Sequence, residues 1–331
     1  MNRTEMIKII RSIMPGTDSS GSSVGQSECI VFKDGNAYTF NDMVAMRTAV
    51  PFIFEGAIEA SKFLLALQSF DSDTVKIKQK DDHIICRGGK RQTTHAINSN
   101  IELPISIVDL PRKWRPVPGE FTKALQTVAR IAGRDENKYT LTCVHIAKDR
   151  IEATDNIQLM RWPMTTGLRM SALISARTAL MLTKYNITDS GITDQWLHFK
   201  DDTGLVYSIR THEDTYPDIS EFLEVNGTPI VFPPDIGECA SRAAGFLESA
   251  KDDGVKVTLE EGRIFISGEG SAVIYEERAL VDYEGDPISF FVNPGICQKL
   301  SKEAEETIIS ADRIKVTTPD YEYVAMLQAV K

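Results

Sequence analysis

Two proline-rich stretches, LPRKWRPVPGE (Leu110 to Glu120) and NGTPIVFPPD (Asn226 to Asp235), constrain this chain more than any other feature. Proline carries no amide donor and is resisted by helix interiors and central strands. The stretches cut the 331 residues into pieces of about 110, a size that suits one small domain each: 1–113, 114–226 and 227–331. Each piece repeats one order of elements. An amphipathic helix comes first: TEMIKIIRSIM, GEFTKALQTVARIA, then DIGECASRAAGFL. Strand-like runs follow: ECIVFKDGNAYTF, YTLTCVHIAKDRIEATD, then VKVTLEEGRIFISGEG. A second helix comes next: EASKFLLALQSF, ISARTALMLTKY, then NPGICQKLSK. Strands close each unit, as in TVKIKQKDDHIICRGG, WLHFKDDTGLVYSIR and DRIKVTTPDYEYVAML. Alternating apolar residues and the KDG, KDD and EEG turns mark hairpins. The chain reads as a threefold tandem repeat of a two-helix, many-stranded unit, an α+β architecture. DSSGSSVGQS (Asp18 to Ser27) has the composition of a flexible loop.

Composition narrows the class. Apolar residues make up 42% and charged residues 25%, the balance of a globular protein. No run approaches the roughly 18 apolar residues of a membrane span. The start, MNRTEMIKIIRSIMPG, lacks the apolar core of a signal peptide. The five cysteines (Cys29, Cys86, Cys143, Cys239, Cys297) form no CxxC and read as reduced thiols in a cytoplasmic protein.

No catalytic motif emerges. GGKRQTT (Gly88 to Thr94) lacks phosphate-loop spacing, and GEGSAV (Gly268 to Val273) lacks the third glycine and following helix of a dinucleotide site. The histidines (His83, His95, His145, His198, His212) show no metal-ligand spacing, so neither metal nor cofactor is expected. Acid pairs such as Asp81-Asp82, Asp201-Asp202 and Asp252-Asp253 fall in turns. The segment EATDNIQLMRW leaves one question: whether Asp155 is a catalytic carboxylate or the organiser of a turn.

Charge is distributed unevenly. The net charge of −10 should repel nucleic acid. Helices are predicted over 4–14, 58–70, 119–134, 173–185, 235–250 and 294–302. Lys8, Arg11, Lys62, Lys123, Arg130, Arg134, Arg177, Lys184, Arg242, Lys299 and Lys302 face only Glu5, Glu59, Glu120, Asp235, Glu238 and Glu248. These segments carry about +5 while the rest carries about −15. In the first helix Thr4, Lys8, Arg11 and Ser12 share a face opposite Ile7, Ile10 and Met14. In the third, Lys123, Thr127, Arg130 and Arg134 lie opposite Phe121, Leu125 and Val128. The fifth helix, with one base against three acids, departs from this pattern. Basic helix faces within an acidic protein suit a phosphate-lined passage that binds without reading sequence.

These features resemble a known family. FTKALQTVARIAGRDENKYTLTCVHIAKDRIEATDNIQLMRW, ISFFVNPGICQKL and YEYVAML are similar in order to segments of the bacterial-type DNA sliding clamp, the β subunit of DNA polymerase III, in a shortened, phage-like form. The resemblance implies three clamp domains per chain, each with two helices packed on antiparallel sheets. It implies a homodimer closed head to tail, first domain to third, into a ring around double-stranded DNA. It implies no catalysis: the ring tethers a polymerase, and an ATP-driven clamp loader opens it. The DNA-facing set would be Lys8, Arg11, Lys62, Lys123, Arg130, Arg134, Lys138, Tyr139, Arg177, Lys184, Lys299 and Lys302. Leu141, Thr154, Asn156, Gln158, Leu159, Val324 and Met326 match positions lining the family's partner-peptide pocket. Thr94, Ala96 and Ile97, with Phe246 and Leu247, match the ring contact.

The departures are specific. Asn156-Ile157-Gln158 stands where the family has Gly-His-Arg, Met326-Leu327 replaces Met-Pro, and Ser19 to Ser23 replace a segment that is often basic. Two alternatives stay open. One is a metal-dependent nucleic-acid hydrolase using Asp155 and Glu152. The other is a monomeric clamp-like protein that binds replication factors as a decoy or regulator.

Overall fold

Helix α1 (Arg3–Ile13) shows how local sequence starts each repeat. Asn2 caps it, its side-chain oxygen accepting from the Glu5 amide at 3.0 Å. Glu5 lies in the first turn and Arg11 in the last, matching the helix dipole. Met6, Ile10 and Ile13 are fully buried and leave Lys8 and Arg11 outside. The buried stripe is thus Met6-Ile10-Ile13, with Ile7 and Met14 only half-buried.

The structure is a computed structural model that describes residues 2–20, 23–248, 254–300 and 304–330, the side chains at 299–300 excepted. Among the described residues the remaining helices are α2 (Ala60–Ser69), α3 (Phe121–Ala129), α4 (Ala176–Leu182), α5 (Ile236–Ala244) and α6 (Pro294–Leu300). The same succession occurs three times. Four strands separate the two helices of a pair, three follow the second helix, and a two-residue strand closes the copy. The chain is α+β with three tandem copies of one unit.

Helix ends differ from the sequence reading, for local reasons. α4 starts at Ala176 because the Ser175 hydroxyl accepts from the Thr178 amide at 3.2 Å. Ala172–Ser175 before it is strand. α3 ends at Ala129, so Arg130 and Arg134 lie in the turn beyond it, where the Gly133 amide reaches the Leu141 carbonyl at 2.7 Å. Tyr139 to Thr142, read as strand, belong to a 3-10 helix (Glu136–Thr142) begun by Asp135, which accepts from the Asn137 amide. α5 ends at Ala244, leaving Phe246 and Leu247 in the following turn. The Asp252-Asp253 pair and part of the serine-rich loop (Gly21 and Ser22) lie outside the described residues.

Compactness divides the chain into two units, 1–126 with 145–148 and 165–214, and 127–144 with 149–164 and 215–331. Each is built on an antiparallel sheet that joins distant stretches of chain. In the first unit the order is Gly56–Glu59, Cys29–Lys33, Asn36–Phe40, Val44–Ala49, Val206–Arg210, Trp196–Asp201, Ile187–Ile192 and Arg115–Pro116. In the second it runs Arg150–Thr154, Gln158–Pro163, Glu322–Met326, Arg313–Thr317, Glu306–Ile309 and Thr228–Pro229. The register repeats as well as the order. Thr39, Met46 and Tyr207 lie side by side in the first sheet, and Ala153, Met160 and Tyr323 in the second. Met46, Tyr207, Met160 and Tyr323 are all at most 2% exposed.

His198, inside the first sheet, is fully buried between hydroxyls. Nδ1 is 2.8 Å from Ser208 Oγ and Nε2 3.0 Å from Thr193 Oγ1. Burial pushes its pKa down to about 4. The unfolded chain protonates this group near pH 6.5 and the folded chain only near 4. The stability it contributes is therefore complete above pH 6.5 and lost as pH falls toward 4, by about 1.4 kcal/mol per unit. Denaturant unfolding between pH 7 and 4.5 should show a shallower pH dependence in His198→Asn than in the parent; equal slopes would refute this.

Candidate functional site

The segment around Asp155 is a turn between the strands Arg150–Thr154 and Gln158–Pro163. Asp155 Oδ1 accepts from the amides of Ile157 and Gln158 at 2.9 and 2.8 Å, and Oδ2 from Gln158 Nε2 at 2.9 Å. The Thr154 hydroxyl donates to the Gln158 carbonyl at 2.8 Å. Asn156 has φ +77°, a conformation asparagine tolerates better than most residues other than glycine. That explains how asparagine can stand where the resembled family has glycine. Asp155 spends its oxygens on the turn.

The turn borders an apolar cluster. Leu159 pairs in register with Thr154 on one side and Val324 on the other. Leu159 and Val324 pack with Ile219, Leu223 and Val225, and Tyr216 and Ile308 lie against that cluster. Ile157 and Met326, 59% and 43% exposed, form an open apolar edge, joined by the Met326 amide donating to the Ile157 carbonyl at 2.7 Å. The Tyr323 hydroxyl donates to Gln158 Oε1 at 2.8 Å and fixes that side chain. Of the expected pocket residues, Leu159, Val324, Met326, Asn156, Gln158 and Thr154 come together here. Leu141 is buried nearby in the chain, its carbonyl bound to Gly133, which also lies against Asp155.

Sequence reading missed the 216–225 segment. Its hints are Ile219 and Leu223, four apart after Pro217. An ion-pair cluster holds it in place. Glu152 is 2% exposed, with Arg161 Nε at 2.7 Å and Arg150 Nε at 3.1 Å. Arg161 Nη2 then donates to Ser220 Oγ at 3.1 Å. Burial and the nearby Glu152 carboxylate push the Tyr216 phenol above its usual range. Glu152 thus serves as the counter-ion of two arginines.

The expected DNA-facing residues are all on the surface where described. Lys8, Arg11, Lys62, Lys123, Arg177 and Lys184 are exposed in the first unit, and Arg130, Arg134, Lys138 and Tyr139 in the second. Lys62 sits 3.4 Å from Glu59, an exposed pair of little energetic weight. Arg242 on α5 donates to Glu277 at 2.7 and 3.0 Å, so its charge is already matched. These bonds pull the Glu277 carboxyl down to about 2. Asp235 and Cys239 lie beside Glu277, but the guanidinium donates to Cys239 Sγ as well and puts a positive charge where a cation would have to enter. The Lys299 side chain and Lys302 lie outside the described residues.

The expected ring-contact residues sit near sheet edges. Thr94 and Ala96 are exposed on Arg91–Ala96, the edge of a three-stranded sheet. Ile97 is 6% exposed and packs beneath Gly56, which places its side chain in the core of its own unit. Phe246 is 40% exposed and stacks on Tyr275 at 4.7 Å. Leu247 is half-buried beside it. Tyr275 belongs to Ile274–Leu280, an edge strand that the sequence reading did not single out. It turns Ile274 and Leu280 outward, 69% and 82% exposed.

No protein-family model matches the chain, and no curated protein matches it. Solved structures do. The DNA polymerase III subunit beta from Pseudomonas aeruginosa superimposes with a TM-score of 0.85 at 15% identity, over 100% of this chain and 99% of that one. The C. crescentus beta sliding clamp gives 0.88 at 14% identity, over 100% and 98%. The DNA polymerase III beta chain from Streptococcus pneumoniae gives 0.84 at 17%, over 99% and 98%. The chain has the sliding-clamp fold along its whole length.

Glu152→Ala removes the buried acid from Arg161 and leaves Arg150 only its exposed partner Asp149. It should cost about 3 kcal/mol of stability, within the range for breaking buried pairs, read from denaturant midpoints. A neutral effect would remove the counter-ion role.

Proposed function

We propose that the chain is a DNA polymerase processivity factor, a sliding clamp whose copies close into a ring around duplex DNA. The observation that carries this reading is the full-length agreement of fold with bacterial sliding clamps at an identity too low to reflect anything but architecture. The division into domains 1–113, 114–226 and 227–331 belongs to the same proposal: three domains per chain and two chains give a six-domain ring.

The chemistry is topological. The exposed lysines and arginines of α1, α2, α3 and α4 touch phosphates without reading bases, so contact is loose and salt-sensitive. Retention comes from closure. Closure would join the edge strand carrying Thr94 and Ala96 in one copy to the edge strand beside Phe246 and Tyr275 in the next. Unpaired strand edges with outward apolar residues favour such pairing. The apolar cluster at Leu159 and Val324 takes an extended peptide with apolar anchors from a polymerase or from the loader that opens the ring. Asp155 and Glu152 serve turn and ion-pair roles, and the clamp has no catalytic step of its own.

Light scattering at micromolar concentration should give a mass of about twice the 36.8 kDa chain. Loaded protein should stay on nicked circular DNA and leave the same DNA once it is cut to a linear form; equal loss from both would defeat the proposal. Lys123→Ala with Arg130→Ala should weaken retention and lower its salt dependence without changing the unfolding midpoint. An unchanged salt slope would take those residues out of the DNA path.

A further inference from the structure

The repeated register places a groove in the first unit where the second unit has its apolar cluster, and the charge around the two differs. Position by position, Phe40, Ala45 and Ser208 stand where Thr154, Leu159 and Val324 stand in the second unit. Ile105 and Ser106 of a short 3-10 turn follow Pro104, as Ile219 and Ser220 follow Pro217 and Asp218. A groove of about 290 Å³ opens between these elements, lined by Tyr38, Ala45, Val206, Ile105, Val108 and Leu110 among others. Its strands Val44–Ala49 and Val206–Arg210 are paired on both sides, so an occupant cannot add as a strand and must be held by side chains.

Arg47 decides what the occupant is. It holds the register position of Arg161. Arg161 is neutralised by Glu152 and tied to Ser220. In the first unit the position of Glu152 is Tyr38 and that of Glu322 is Val206. Arg47 lies 5.6 Å from the Tyr38 ring centre and donates to Asn36 Oδ1 at 3.2 Å, with no carboxylate partner among the described residues. Lys33, exposed on the same groove, has no carboxylate partner among them either. Asp34 in the adjacent turn also lines the groove but pairs with neither. A half-buried guanidinium facing an apolar slot and lacking a counter-ion is a receptor for one.

We propose that the groove between Arg47 and the Pro104–Leu110 segment is a second docking site, for an extended acidic peptide that seats an apolar side chain on Ala45 and Val206 and a carboxylate on Arg47. The site lies within one unit and does not require a ring.

The test uses the full chain carrying Ile157→Asp and Met326→Asp, exposed changes at the apolar edge of the second unit's cluster. Fluorescein-labelled Glu-Phe-Asp-Leu-Glu should still bind, and Lys-Phe-Lys-Leu-Lys should not. Adding Lys33→Glu and Arg47→Gln should weaken binding roughly ten- to a hundredfold, the range for lost charged hydrogen bonds. Lys33→Glu alone, at a surface position, guards against misfolding and should weaken it measurably. In the unsubstituted chain, saturating acidic peptide should slow amide hydrogen exchange across 38–47 and 104–110. Loss of all binding with the Ile157/Met326 changes, or binding indifferent to Lys33 and Arg47, overturns the proposal. Neither readout involves DNA retention, so failure of the ring would be told apart from failure of this site.

Discussion

Backbone pairing between distant stretches of chain is the interaction on which the rest depends. Val44–Ala49 hydrogen-bonds to Val206–Arg210, and Gln158–Pro163 to Glu322–Met326. Those two ladders set the register that puts Leu159 beside Val324 and Ala45 beside Ser208. A slip of one residue would turn every side chain to the other face. Met46 and Tyr207, and Met160 and Tyr323, guard against it, because large side chains already fill the buried face at the junction. The groove of the first unit and the apolar cluster of the second are by-products of these junctions: each lies where a sheet changes from one stretch of chain to another and a short 3-10 segment crosses its face.

The two junctions share a backbone and differ in charge. In the second, Glu152, Arg150, Arg161 and Ser220 form a closed polar cluster under the crossing segment. In the first, aromatic Tyr38 replaces the acid and the arginine remains. One architecture thus yields one junction whose arginine is matched by an acid and another whose arginine is not. Duplicated folds can diverge in this way, with the backbone retained while single side chains alter what each copy accepts.

The order of elements was legible in the sequence. Amphipathic spacing and turn residues located the six helices of the described residues and the hairpins. The sequence alone leaves Asp155 between a catalytic carboxylate and a turn organiser, and its three hydrogen bonds place it in the turn. Helix ends were less legible, because they rest on single hydrogen bonds such as that of Ser175. Strand partners more than 160 residues apart leave no local signal, so the 216–225 segment, the edge strand Ile274–Leu280 and the burial of Ile97 emerged only with the fold. Charge was half legible. Counting bases found exposed lysines, but not that Glu277 had already taken Arg242.

The separation between paired strands sets a delay during synthesis. Val324 follows Leu159 by 165 residues. At the usual pace of translation, about 5–20 residues per second, the Gln158–Pro163 edge waits roughly 10 to 30 seconds for its partner. During that interval it is an open strand beside the strand Arg150–Thr154, able to recruit any other chain. Its sequence, QLMRWP, carries a charge at Arg161 and a missing donor at Pro163. Charge and proline are the common defences of an exposed strand edge. The arginine that later braces the cluster is thus also placed to keep the nascent chain from pairing with the wrong neighbour.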